Sequence, residues 1–143
     1  MNITCLRFFT VYGPRQRTDL AIHKFARLML DNKPIPIYGD GTMKRDFTYI
    51  DDIIDGIQKA LHKCKGYNIY NLGESRPVTV NDLIELLENA LKTKAIPKRQ
   101  PEQPGDVKCT YADINRAVKE LGYSPETPLE DGLAKFAQWI KQS

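Results

Sequence analysis

At 143 residues, with 41% hydrophobic and 27% charged side chains, the chain has material for one packed core and not for two. Its net charge of +3 is spread along the sequence without a run of like charges, which excludes a nucleic-acid-binding tail and suits small anionic ligands. No apolar stretch approaches the roughly 18 residues of a membrane span, and the N-terminus lacks the layout of a signal peptide, so no membrane partner is expected.

Residues 3–12 form a nearly continuous apolar and aromatic run closed by Gly13 and Pro14. That is the pattern of one strand buried on both faces of a parallel sheet. A helix follows, with Asp19 as its cap and Ile22, Phe25, Ala26 and Met29 on one face, before Pro34 ends it. Ile35 to Tyr38 reads as a short edge strand marked by Pro36, and Gly39-Asp40-Gly41 turns the chain. Arg45 to Ile50 runs extended, and Asp51 or Asp52 then opens a helix with Ile53, Ile54, Ile57 and Leu61 inward. Tyr67 to Gly73 alternates as a strand.

The last third reads as mostly helical. Thr79 with Asp82 resembles a capping box ahead of Leu83, Leu86, Leu87, Ala90 and Leu91. The proline-rich stretch from Pro97 to Pro104 reads as a loop. Asp113 can cap a short helix that stops at Gly122, and Thr127-Pro128-Leu129-Glu130 reads as a second capping box before a final helix. The expected class is α/β, with residues 1–143 in one piece.

Cys5, Cys64 and Cys109 are odd in number and far apart, which predicts reduced thiols and a cytoplasmic setting. Only His23 and His62 are present, neither beside a cysteine or carboxylate cluster, so no metal site is expected; both read as packing or surface residues. No Gly-x-Gly-x-x-Gly follows a strand, no tyrosine is followed four residues later by lysine, and no Gly-x-Ser-x-Gly occurs. These 143 residues therefore carry no self-contained catalytic site.

What remains is a set of polar groups at strand ends, where open α/β sheets bind ligands. Thr10, Arg15 and Arg17 follow the first strand and suit a phosphate or carboxylate, although both arginines also fit a solvated loop. Arg45 lies between a glycine-rich turn and an extended aromatic segment, placed either for a ligand or for an ion pair with Asp40 or Asp46. Asp106 after Gly105 can reach ribose hydroxyls or belong to a plain turn. Tyr38, Phe47 and Tyr49 suit base stacking or core packing.

The segment Leu6 to Arg17 resembles the stretch just after the catalytic tyrosine and lysine of extended short-chain dehydrogenase/reductases. Ile37 to Gly41 with Arg45 to Asp52, Tyr70 to Gly73, and Gln103 to Asp106 through Asp113 are similar to further family signatures, in order. Phe8 to Arg17 together with Gln103-Pro104-Gly105-Asp106-Val107 looks most like the UDP-glucuronate 4-epimerase branch. The resemblance implies the last strands of a Rossmann-type parallel sheet plus the small mixed α/β C-terminal substrate-binding domain. It implies that the cofactor-binding half and the tyrosine–lysine pair would precede Met1, with NAD held mainly there.

In such enzymes the tyrosine takes the 4-hydroxyl proton, NAD takes hydride from C4, and the keto sugar turns over before re-reduction. For this chain the resemblance implies binding roles. Thr10 and Arg17 would hold the sugar carboxylate, Arg45 the diphosphate, and Asp106 would lie near the ribose. Uncharged-sugar relatives often carry arginine where Gln103 stands. The expected partner is a UDP-sugar. The resemblance makes Arg7 to Gly13 and Tyr67 to Leu72 the last strands of a sheet whose other strands would lie in the preceding half, and such orphan strands predict a homo-oligomer. A nucleotide-sugar dehydratase or decarboxylase, or a non-catalytic nucleotide-sugar-binding module, are the alternative readings.

Overall fold

The computed structural model describes residues 1–102 and 104–142. Strand β1 (Ile3–Phe8) pairs in parallel with β6 (Tyr67–Leu72), Ile3 opposite Tyr67 and Phe8 opposite Leu72. Strand β2 (Thr10–Tyr12) follows at once but pairs in parallel with β5 (Phe47–Tyr49). The single strand expected over 3–12 is therefore two. Phe9 is the switch: its N–H donates to Leu72 O at 3.3 Å, while the Thr10 N–H donates to Asp46 O at 3.2 Å. A hydrophobic run reports burial and cannot report a change of hydrogen-bonding neighbour.

The burial of that run also differs from expectation. Among the described residues β1 has a partner on one side only, and Phe8 is 49% exposed. Strand β3 (Ile35–Tyr38) pairs in parallel with β8 (Pro97–Gln100), and β4 (Lys44–Arg45) pairs antiparallel with β7 (Val78–Thr79). Strand β8 corrects the loop expected over 97–104. Its Pro97, Lys98 and Arg99 are exposed, so it is held to the β3 edge that Pro36 marks mainly by main-chain bonds, with Arg99 Nη1 also donating to Gly39 O at 3.2 Å.

The helices are α1 (Ala21–Leu30), α2 (Ile50–His62), α3 (Val80–Leu91), α4 (Asn115–Leu121) and α5 (Leu129–Ile140). Thr79 caps α3 as its sequence predicts, its Oγ1 accepting the Asp82 N–H at 3.0 Å. Gly122 ends α4 at φ 74°, a left-handed conformation that glycine adopts without strain. The other expected caps depart from that pattern in different ways. Asp19 pairs with Arg17, and Leu20 occupies the α1 cap. Ile114 occupies the α4 cap position, but Asp113 still serves the helix start as expected, its Oδ1 accepting the N–H of Asn115, the first helical residue, at 3.0 Å.

The second capping box, at Thr127, does not form; Pro128 takes the cap position of α5. Asp52, expected at the start of α2, lies inside its first turn and acts across the fold instead. Its carboxylate accepts the N–H groups of Glu126 and Thr127, just ahead of α5, at 3.0 and 3.2 Å.

Two apolar cores result. The larger joins α1, α3 and α5 to β2, β3 and β5 through residues such as Ile22, Leu87 and Phe136. The smaller sets Ile53 of α2 and Leu72 of β6 against Leu121 and Tyr123. His23 is a packing residue of the larger core, its Nδ1 2.8 Å from Gln16 O and its ring edge-on to Phe136 and Trp139. Only part of the expected α2 stripe is inward: Ile53 is buried, whereas Ile54 is 44% and Leu61 73% exposed.

The contrast between the two threonines is measurable. Thr79→Ala should lower unfolding stability by about 1 kcal/mol, and Thr127→Ala should stay within about 0.5 kcal/mol of the parent. Urea midpoints of the two variants check this; equal losses would contradict the cap assignments.

Candidate functional site

A cavity of about 290 Å³ opens between the start of α1 and strands β3, β4 and β5. Thr10, Asp19, Lys24, Tyr38 and Arg45 supply its polar wall, and Phe25, Ile37 and Phe47 its apolar floor. The local chain explains the placement. Thr10 stands where the chain leaves β6 for β5, so its side chain sits at a sheet switch. Arg45 is the last residue of β4, a strand that also bridges Lys44 to Cys109 in parallel.

Arg45 and Asp106, 61 residues apart, meet directly. Arg45 Nη2 donates to Asp106 Oδ1 at 2.8 Å, while Nη1 donates to Lys44 O at 2.9 Å and Val107 O at 2.6 Å. Both side chains are partly buried, so this pair is held more firmly than a surface contact. Arg45 therefore pairs with neither Asp40 nor Asp46, the partners its sequence neighbourhood offered. Asp40 takes the Thr42 N–H and hydroxyl, which hold its carboxyl below the usual range.

The expected site residues are brought together unequally. Thr10 and Arg45 line the cavity and Asp106 sits on the Arg45 guanidinium. Arg17 lies outside the lining, 77% exposed, and makes two bonds to Asp19 at 3.0 and 2.6 Å. That pairing lowers the Asp19 carboxyl and raises the Arg17 guanidinium. Asp19 itself lines the cavity, so Arg17 is one carboxylate removed from it. Arg15 is exposed at φ 65°, in the turn closed by the Gln16 N–H to Gly13 O. Tyr49 is core, edge-on to Tyr12 at 5.5 Å; Tyr38 remains at the cavity wall. Gln103 lies outside the described residues.

Two residues escaped the sequence reading. Lys24 lines the cavity as a second cation, and nothing in helical periodicity separates it from any exposed lysine. Asp46 is fully buried, and its carboxylate accepts the N–H groups of Glu74, Ser75 and Ala112 at 3.1, 3.0 and 2.8 Å. A carboxylate inside a strand-like aromatic run is disfavoured unless it is paired, which was the available signal. Among the described residues no group of three His, Cys, Asp or Glu side chains stands where it could share a metal ion, and no helix is long and apolar enough to cross a membrane.

Residues 1–73 match the model of the NAD dependent epimerase/dehydratase family. The chain belongs to that family. It is 44% identical over its whole length to a UDP-glucuronate 4-epimerase of Thermodesulfobacterium geofontis, spanning 44% of that enzyme. It also superimposes, with a TM-score of 0.93 and 44% identity, on a crystal structure of UDP-glucuronic acid 4-epimerase from Bacillus cereus in complex with UDP-glucuronic acid and NAD, covering 99% of this chain and 46% of that one. A UDP-glucose 4-epimerase of Thermotoga maritima, crystallised with UDP-glucose, matches at 32% identity with a TM-score of 0.92, the chain covering 47% of it. The chain thus spans a little under half the length of these relatives. It has the α/β fold its sequence implies, with β1 and β6 as strands of a Rossmann-type parallel sheet beside the smaller mixed region.

Asp46→Asn replaces an acceptor by an amide whose NH2 faces peptide donors. It should cost about 3 kcal/mol, the scale for losing hydrogen bonds to a buried charged group. Loss of less than about 1 kcal/mol in urea unfolding would remove Asp46 from its central place.

Proposed function

We propose that this chain is the substrate-holding part of an NAD-dependent UDP-sugar 4-epimerase, acting on UDP-glucuronate to give UDP-galacturonate. The observation that carries the reading is the cavity where Thr10 and Arg45 converge with Asp106 fixed on the guanidinium, in a chain 44% identical throughout to a UDP-glucuronate 4-epimerase. Bound NAD would supply hydride exchange at C4. The dinucleotide fingerprint and the Tyr–Lys spacing do not occur in these 143 residues, so the chain alone binds without turnover.

Each residue then has a binding task. Arg45 holds the diphosphate with the donors that Lys44 O, Val107 O and Asp106 leave open. Asp106 is the ribose acceptor, and its bond to Arg45 keeps sugar and phosphate contacts in one register. Lys24 adds positive charge to the same cavity. Thr10 and Arg17 take the glucuronate carboxylate. For Arg17 that requires an exchange: the ligand carboxylate replaces Asp19, a like-for-like swap at an exposed position.

Calorimetry with UDP-glucuronate, UDP-glucose and UDP tests these assignments. UDP-glucuronate should bind most tightly, and Arg17→Ala should erase the preference. Arg45→Ala should weaken all three ligands roughly tenfold or more, as for loss of a charge-assisted contact. Asp19→Asn frees Arg17 and should tighten UDP-glucuronate alone. Equal affinity of the parent chain for all three would sink the carboxylate assignment.

The open edge of β1 and the exposed Phe8 and Leu61 support self-association as well. Light scattering should give at least a dimer mass, and Phe8→Lys should shift it toward the monomer; a monomeric parent at moderate concentration would contradict this.

A further inference from the structure

A second cavity, about 480 Å³, also borders Phe47 but belongs to α3, the start of α5 and the segment after β6. Its polar lining is Glu74, Arg76, Asp82, Glu85, Asn89 and Glu130, four carboxylates against one guanidinium. Val78, Leu86 and Leu129 form apolar wall between them. The charge balance is opposite to that of the cavity holding Lys24 and Arg45.

Glu74 is what makes this more than an acidic surface. Its side chain is only 8% exposed, and its Oε2 has no hydrogen-bond partner among the described residues. Its Oε1 is 3.6 Å from Nη1 of Arg76, beyond hydrogen-bonding distance, and the Arg76 side chain is itself largely in solvent. A buried carboxylate short of donors carries a desolvation penalty, and a cation paired with it from the cavity that Glu74 lines offsets that penalty. The Glu74 backbone is meanwhile fixed, because its N–H donates to Asp46.

We propose that this cavity binds a small aliphatic amine, its ammonium group paired with the Glu74 carboxylate and its methylene chain lying along Leu86 and Leu129. Apolar walls beneath a carboxylate suit a cation on a hydrocarbon stem. The outer carboxylates Asp82, Glu85 and Glu130 raise the local concentration of cations and select against anions such as the phosphates that suit the first cavity.

The protonation of Glu74 fits the same picture. Burial lifts its carboxyl to about 7; Arg76 opposes the rise, and Asp52 and Asp46 add to it. Tyr12, which also feels Glu74, is held far above neutral by its own burial and stays uncharged. Without ligand Glu74 is thus half protonated near neutrality. An amine remains an ammonium ion throughout this range, so it binds the carboxylate and expels the proton.

Titration calorimetry of the chain with 1,4-diaminobutane, and with 1-butanol as uncharged control, tests the proposal. The diamine should bind and the alcohol should not. Affinity should rise about tenfold between about pH 6 and pH 8, as Glu74 loses its proton, and proton release near neutrality should appear as a buffer-dependent heat. Glu74→Gln should weaken binding roughly tenfold or more and flatten the pH profile, while leaving UDP affinity unchanged. If that variant does not fold, amide shifts on titrating the parent decide the matter: they should centre on Glu74, Leu86 and Leu129. No binding, equal binding of the alcohol, or shifts centred elsewhere would overturn the proposal.

Discussion

The buried carboxylate of Asp46 is the constraint on which the other placements depend. Three peptide N–H groups from two separate segments converge on it, from Glu74 and Ser75 after β6 and from Ala112 beyond the 104–108 loop. A carboxyl group buried this deeply is tolerable only when its oxygens are met this fully. Gly73 is part of the same arrangement, because a side chain there would run into the Ala112 methyl and approach Asp46 Oδ2 to 2.9 Å. Arg45 precedes Asp46 directly, so whatever fixes Asp46 also fixes where the guanidinium begins.

Asp52 repeats the device at the junction of the two cores. By taking the Glu126 and Thr127 N–H groups it sets the approach to α5, and Tyr12 reaches the same region with its hydroxyl on Leu129 O. Tyr123, buried in the smaller core, donates its hydroxyl to Gly73 O beside the Asp46 anchor. The two apolar clusters are thus joined by polar contacts to main-chain groups. Such contacts are directional, whereas apolar packing alone leaves relative position less sharply defined.

Much of this was legible in the sequence wherever the signal was local. Thr79 and Asp82 are neighbours on the chain, and their cap forms; Gly122 ends its helix for a reason that resides in glycine itself. Where the decision was made by a distant partner, local reading failed. Thr127 with Glu130 reads as a capping box, but the Thr127 N–H that Glu130 would take is already occupied by a carboxylate from 75 residues away. Strand β8 has no apolar pattern because it is held mainly through its backbone, and the split at Phe9 depends on which strand lies beside it. The same division holds at the site. Residue chemistry marked Thr10, Arg45 and Asp106 as binding groups, but only ordered motifs of a family tied them to one ligand, and Arg17 lies farther from the cavity than its motif implied.

The three bonds that Arg45 makes to Lys44 O, Val107 O and Asp106 bear on how an anion would be recognised. A guanidinium carries five N–H groups in a rigid plane, so three such bonds leave two, already pointed. The side-chain rotamers that a long cationic residue normally has to give up on binding are frozen before any ligand arrives. Selection at this position therefore rests on direction more than on charge. A lysine there would keep the positive charge and lose the aim.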